Sequence, residues 1–311
     1  MQDGRHQPEY YGYVPPYPTC PDTEDIAPCI CRYWNNATDL DCSGVDGVES
    51  EEQLKQIFKA DFPLRSLNKF VLQYNYNIKV LEAGVFNCIS FERIDIKHNL
   101  LEVIELQAFN SCYETATDIV LRNNRISSFP FVELSLFSKL SYFRIDSNLL
   151  EMIPADAFNG LTALEHLDIS NNTPSIVGTF QDLPNLQYIF LYNNGLTTIP
   201  VNFIETGGSA LEYIGLSQNN IVSVEPGAFD FVDGLDIDLW QNSLSTLEEA
   251  TWRPYLEAGG ELVAAVNPLY CDCAFAWLFG EDQLLEQVSI TTTCIGGEYL
   301  HDLDPEIFDE C

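Results

Sequence analysis

The chain has 311 residues, 46% of them hydrophobic, and 47 acidic against 14 basic side chains give a formal net charge of −33. Such a charge repels nucleic acid and anionic membrane surfaces, and no apolar run approaches the roughly 20 residues a transmembrane helix needs. Length alone would give about two compact domains, a prior that the internal repetition described below replaces.

Residues 1–19 are polar, rich in Tyr and Pro, and read as a disordered tail. No apolar stretch behind Met1 could serve as a secretory segment, so the compartment must be read from the ten cysteines. Residues 20–66 hold Cys20, Cys29, Cys31 and Cys42 and read as an N-terminal cysteine cap. The sequon Asn36-Ala-Thr38 lies inside it and is the candidate glycosylation site. Asn171-Asn-Thr173 is a poorer sequon, because it falls on the repeat face and Pro174 follows.

Residues 67–261 repeat about eight times. Asn75, Asn99, Asn124, Asn148, Asn172, Asn194, Asn219, Asn242 and Asn267 recur 22 to 25 residues apart. Apolar residues usually stand five and three positions before each Asn and two after, as in Leu140-Ser-Tyr-Phe143-Arg-Ile145-Asp-Ser-Asn148-Leu-Leu150. This is the leucine-rich-repeat pattern L-x-x-L-x-L-x-x-N-x-L. It predicts an α/β solenoid with a curved parallel sheet on its concave face and a mostly irregular or short helical convex side. One repeat cannot bury its apolar edge, whereas a stack buries a continuous column. An inward Asn can satisfy backbone groups left open where the chain leaves each strand, so the series reads as a structural ladder. Phe86, Phe109, Phe158, Phe203 and Phe229 read as a stacked spine on the convex side.

Cys88 and Cys112 each stand thirteen residues after their repeat's Asn. Equivalent residues of stacked repeats lie about 5 Å apart, within reach of a bridge, so the spacing predicts a Cys88–Cys112 disulfide.

Positions six, four, two and one before each Asn should point outward from the concave strands. In the first four repeats they carry Lys69, Arg93, Lys97, Arg122 and Arg144 together with His98. In the later ones they carry His166, Tyr188, Phe190, Tyr192, Tyr213 and Trp240, with no Lys or Arg. The face is therefore expected to be basic toward the N-terminal cap and aromatic toward the C-terminal cap. Exposed aromatics beside charges are typical interface anchors. The alternative is that these side chains form cross-strand pairs, Lys97 and Arg122 answering Asp95, Asp118 and Asp146. Catalysis has little to rest on: there is no G-x-S-x-G, no Gly-rich phosphate loop and no metal-spaced His pair, and Asp236 with Asp238 are too few ligands for Ca²⁺. No cofactor and no metal are expected.

Residues 262–311 form a second cysteine cap, Cys271, Cys273, Cys294 and Cys311, opened by Asn267-Pro-Leu-Tyr-Cys271-Asp-Cys273 and followed by Trp277-Leu278. An even cysteine count concentrated in caps favours disulfides over zinc and an oxidising, extracellular compartment. The chain stops at its last cap cysteine, which favours a freely secreted protein over a receptor ectodomain.

The second cap strongly resembles the C-terminal cap of extracellular leucine-rich-repeat proteins. That resemblance implies the pairings Cys271–Cys294 and Cys273–Cys311, with Cys20–Cys31 and Cys29–Cys42 in the first cap. Three stretches, Cys20-Pro-Asp-Thr-Glu-Asp-Ile-Ala-Pro-Cys29, Glu51-Glu-Gln-Leu-Lys-Gln-Ile-Phe58 and Ile104-Glu-Leu-Gln-Ala-Phe109-Asn-Ser-Cys112, resemble a narrower group. These are secreted arthropod, especially crustacean, leucine-rich-repeat proteins, among them the non-catalytic subunit of a shrimp luciferase, whose small partner subunit carries the oxidation. The resemblance implies a secreted, non-catalytic, protein-binding chain; with the outward residues above, the leading expectation is an accessory subunit or scaffold that binds a protein partner through its concave face. Two other classes remain open: a soluble glycan or microbial recognition protein, and a self-assembling extracellular component joined through the tail.

Overall fold

The structure is a computed structural model that describes residues 19–172, 180–205, 210–229, 234–280, 284–309 and 311. The tail expected over 1–19 thus lies outside the described residues save for its last one, as does Thr173 of the second sequon. Each repeat contributes one short strand, and these assemble into an 11-stranded sheet. Its first strand, Ile30–Trp34, pairs antiparallel with Ala37–Asp41. All later pairings along the sheet are parallel and in register, running through Ser66–Val71, Ser90–Asp95, Asp118–Val120, Tyr142–Arg144, His166–Asp168, Tyr188–Phe190, Tyr213–Gly215, Asp236–Asp238 and Glu261–Val263. The convex side holds two-residue strand pairs and short 3-10 turns. This is the leucine-rich-repeat solenoid that the Asn spacing predicts.

The Asn ladder shows why the spacing is strict. All nine asparagines are buried. Asn148 Nδ2 donates to the Leu121 and Ile145 carbonyls, both at 3.0 Å, and Oδ1 accepts from Ile126 N at 3.0 Å. Asn124, Asn219, Asn242 and Asn267 repeat that geometry, each tying its own strand end to the preceding turn. Asn194 departs from it: Oδ1 accepts from Asn172 N at 2.9 Å, while buried Nδ2 has no partner among the described residues. The residue before every ladder Asn, from Tyr74 to Val266, has φ between 49° and 59°. This left-handed residue turns the chain out of the strand while its N–H still bonds the next repeat, as His98 N does to Arg122 O at 3.1 Å. The outward position one before each Asn is therefore a turn position, not a strand position.

Phe86, Phe109, Phe158 and Phe203 are buried as predicted and Phe229 is partly buried against the same core. Phe180 joins Phe158 to Phe203, Phe137 packs on Phe109 and Phe131 on Phe158, and Trp252 extends the series beyond Phe229. Both ends are closed. Cys20–Cys31 and Cys29–Cys42 pin the first hairpin, whose Asn35-Asn36 turn has both φ positive as a two-residue hairpin requires. Helix Glu51–Ile57 starts on Ser50, which accepts from Gln53 N, and buries Leu54 and Ile57. At the other end Cys271–Cys294 and Cys273–Cys311 hold the turn that buries Phe275, Trp277 and Leu278, and Trp277 Nε1 donates to Leu247 O at 3.2 Å.

The fifth bridge does not form: Cys88 is exposed, Cys112 is buried, and both are free thiols. The spacing misleads because eleven residues separate Asn75 from Phe86 but only ten separate Asn99 from Phe109. Register on the convex side follows the Phe. Cys112 N bonds Phe109 O at 2.8 Å as Ile89 N bonds Phe86 O at 2.9 Å, so Cys112 is the counterpart of Ile89. The counterpart of Cys88 is Ser111, whose Oγ donates to Ile89 O at 2.7 Å. Burial pushes the Cys112 thiol up to about 11.

Candidate functional site, the concave face

Strand register sets the outward side chains in rows across the sheet. One row runs Lys69, Arg93, Asp118, Tyr142, His166, Tyr188, Tyr213, Asp236, Glu261. The next runs Val71, Asp95, Val120, Arg144, Asp168, Phe190, Gly215, Asp238, Val263. Adjacent members lie about 4.8 Å apart, so each interacts first with residues one repeat away.

In the N-terminal half the cations are answered by carboxylates of the same face. Buried Asp95 takes Lys69 Nζ at 3.0 Å and Lys97 Nζ at 3.3 Å on one oxygen, with Gln73 Nε2 at 3.0 Å beside them. Arg144 lies between Asp146 at 3.0 Å and Asp168 at 2.7 Å. Arg122 Nε faces Asp146 at 3.6 Å, an ion pair too long for a hydrogen bond. Burial first, and Asp168 second, raises the pKa of Asp146 against the pull of Arg144 and Arg122. Arg93 is exposed and makes no ion pair among the described residues. The cross-strand pairing weighed for Lys97 and Arg122 is realised by Arg122 with Asp146, whereas Lys97 meets Asp95 of its own repeat, two residues before it, and Asp118 accepts from Thr117 Oγ1 instead. His98 stacks flat on Tyr74 with ring centres 5.3 Å apart.

Toward the C-terminal half the face becomes aromatic. His166 stacks on Tyr142 at 4.4 Å and packs against Phe190 at 4.9 Å. Phe190 in turn contacts Tyr188, Tyr192 and Tyr213. Burial, assisted by Arg144, lowers the His166 pKa to about 4, so the ring is neutral at physiological pH, and its buried Nε2 has no partner among the described residues. The Tyr192 and Tyr213 hydroxyls meet at 2.7 Å, and Tyr213 also reaches Asp238 at 3.3 Å. Gly215 makes room for this: a Cβ there would lie 2.3 Å from Tyr192 Cζ, so the ring lies across the strand where every neighbour has a side chain. Trp240 stands apart and is 37% exposed.

Sequence reasoning placed all these groups on one face but missed its N-terminal extension. The cap hairpin continues the sheet, and its exposed residues Ile30, Arg32 and Trp34, the last 63% exposed, stand on the same side as Asp39 and Lys69. The signal was present as alternation in Ile30-Cys-Arg-Tyr-Trp34. Asn36 is exposed at the hairpin tip, its Oδ1 accepting from Tyr33 OH at 3.0 Å. Among the described residues no group of three or more His, Cys, Asp or Glu side chains is placed to hold a metal ion, and no helix is long and apolar enough to cross a membrane.

Comparison with known proteins agrees with this geometry. Leucine-rich-repeat family models match residues 114–173 and 138–196, and a model of BspA-type leucine-rich-repeat regions matches 40–136. The chain is 33% identical to the Oplophorus-luciferin 2-monooxygenase non-catalytic subunit of Oplophorus gracilirostris, over 93% of this chain and 87% of that one. It is also 27% identical to chaoptin of Drosophila melanogaster over 53% of its length, which is only 12% of chaoptin. Among solved structures, a chain of the TLR13–ssRNA13 complex superposes with TM-score 0.62 at 25% identity, covering 72% of this chain and 31% of the other. A chain of the octameric complex of Latrophilin 3, Unc5D and the leucine-rich-repeat part of FLRT2 superposes with TM-score 0.57 at 20% identity, covering 77% and 82%.

Proposed function

The chain belongs to the leucine-rich-repeat family that includes the non-catalytic subunit of Oplophorus-luciferin 2-monooxygenase, and from that premise we propose that it is a secreted, non-catalytic accessory or scaffold protein that binds a protein partner through its concave face. The observation that carries this reading is the half-exposed ring array from Tyr142 to Tyr213, with Trp240 beyond it. The scaffold needs few of these rings: the core is already filled by buried Leu, Ile and Phe on the opposite side of each strand. Rings fixed by their neighbours present large apolar area at little entropic cost, which is what interface anchors do. The four cap disulfides fit an oxidising compartment, and a glycan on Asn36 would stand at the rim of the face without covering the rings. Glycan recognition and self-assembly draw no separate support from the structure or the relatives.

Affinity capture from the native source with the full chain, beside a Tyr188→Ala/Phe190→Ala variant, tests the proposal. A protein should be retained by the parent chain and lost from the variant. Equal retention by both would move the binding site off the concave face.

A further inference from the structure

Building on the concave-face reading, we propose that the C-terminal half of that face receives an arginine-bearing basic segment of the partner, guanidinium groups lying against Tyr188 and Tyr213 beside the carboxylates of Asp236 and Glu261. The two halves of the face treat their acids in opposite ways. In the N-terminal half Asp95, Asp146 and Asp168 each receive a Lys or Arg from this chain. In the C-terminal half Asp236 and Glu261 stand in register on adjacent strands, next to Tyr213, and neither makes an ion pair among the described residues.

Among the described residues no cation answers them. After Arg144 the only basic residue is Arg253, against 27 of the 47 acids, and Arg253 is engaged by Glu249 and Glu257 with its guanidinium over Trp277. Two neighbouring carboxylates without a counter-charge repel one another. Burial and then Glu261 raise the Asp236 pKa, as expected for such a pair. A cation brought by a partner would relieve that repulsion, so binding draws on a cost the free protein already carries.

Ring faces beside carboxylates favour guanidinium over ammonium. The planar fork stacks on Tyr and hydrogen-bonds a carboxylate at its edge, and it is more weakly hydrated than Lys. The surrounding negative field would also speed the encounter with a basic segment.

Titration calorimetry of the full chain with a short arginine-rich peptide, its lysine counterpart and its citrulline counterpart tests the inference. The arginine peptide should bind saturably, the lysine peptide more weakly and the citrulline peptide not at all. Asp236→Asn/Glu261→Gln should weaken arginine-peptide binding about tenfold without lowering thermal stability, because it removes a repulsion. Asp302→Asn/Glu306→Gln, exposed in the C-terminal cap, should leave binding unchanged. Carboxyl NMR should show the Asp236 pKa falling when the peptide binds. Equal losses in the two double variants, or citrulline binding as well as arginine, would overturn the inference. If the captured partner of the preceding section depends on Tyr188 and Phe190 but ignores Asp236→Asn/Glu261→Gln, the concave-face reading stands and this one fails. If it ignores both sets, both fail.

Discussion

At the scale of single residues, the ladder asparagines offer a graded test, because they share one geometry and differ in how fully it is met. Asn148→Ala removes the Nδ2 bonds to three carbonyls, those of Leu121, Ile145 and Asp146, and leaves Ile126 N without its side-chain partner in a buried turn. Leu121 O and Ile145 O keep the Nδ2 groups of Asn124 and Asn172, so the change should cost about 2–3 kcal/mol. Among the described residues Asn194→Ala removes only the bond from Asn172 N and an amide that lacks a partner, so it should cost about 1–2 kcal/mol less than Asn148→Ala. Urea unfolding of the two variants checks the difference, and equal losses would mean that Asn194 Nδ2 is satisfied after all. The left-handed position before each Asn gives a test of opposite sign. Val266 is β-branched, exposed and held at φ 58°. Val266→Gly should therefore raise stability by about 1 kcal/mol, against a loss if the valine side chain supports the cap. His166 carries the pH prediction. Its folded pKa lies near 4, below the unfolded 6.5, so the unfolded chain binds the proton more tightly. The stability it contributes is complete above pH 6.5 and is lost as pH falls through about 4. Asp146 acts with the opposite sign, its raised folded pKa favouring the protonated native state. The difference between the parent chain and His166→Gln isolates the imidazole, and an NMR titration midpoint above 6 would show the ring to be solvated.

At the scale of elements, what the sequence made legible is the part governed by one strand at a time. Alternation within x-L-x-L-x fixes which side chains face outward, and the rows of the concave sheet follow from it. What it left illegible depends on two repeats at once. Lys69 and Arg144 look like free cations until neighbouring strands bring Asp95 and Asp168 to them. The Cys88–Cys112 bridge fails for the same reason, since one residue fewer between Asn99 and Phe109 rotates Cys112 inward relative to Cys88. Gly215 shows the converse. As a lone glycine in a strand it reads as a weak spot, yet it is the seat of Tyr192 from the preceding repeat. Gly215→Ala should therefore leave the strand paired but lift Tyr192 off the sheet, breaking its 2.7 Å contact with Tyr213. Tyrosine ring NMR shifts and weakened partner capture would register that displacement, and unchanged shifts would mean the ring already lies elsewhere in solution.

At the scale of the whole molecule, a solenoid has no distant contacts to hold it, so each repeat relies on its neighbours and the end repeats rely on the caps. The first cap covers the strand Ser66–Val71 with the disulfide-pinned hairpin and helix Glu51–Ile57. Asn75 Nδ2 donates to Val48 O at 2.7 Å across that junction, and Phe58 packs on Phe70, Phe86 and Phe91. The two free thiols stand just beyond it and report on different events. Cys88 is exposed and should react with a thiol reagent in the native state, whereas Cys112 is buried with its pKa pushed up to about 11 and should react only when its repeat opens. Replacing Cys29 and Cys42 together by Ser removes one cap bridge and should cost about 2–5 kcal/mol. Because coupling passes from repeat to repeat, that loss should appear at Cys112 as labelling at lower denaturant than in the parent chain, with Cys88 unchanged. Protection of Cys112 that is indifferent to the cap bridge would mean that the solenoid opens from its other end, and the same measurement on a variant lacking Cys271 and Cys294 would then show the shift instead.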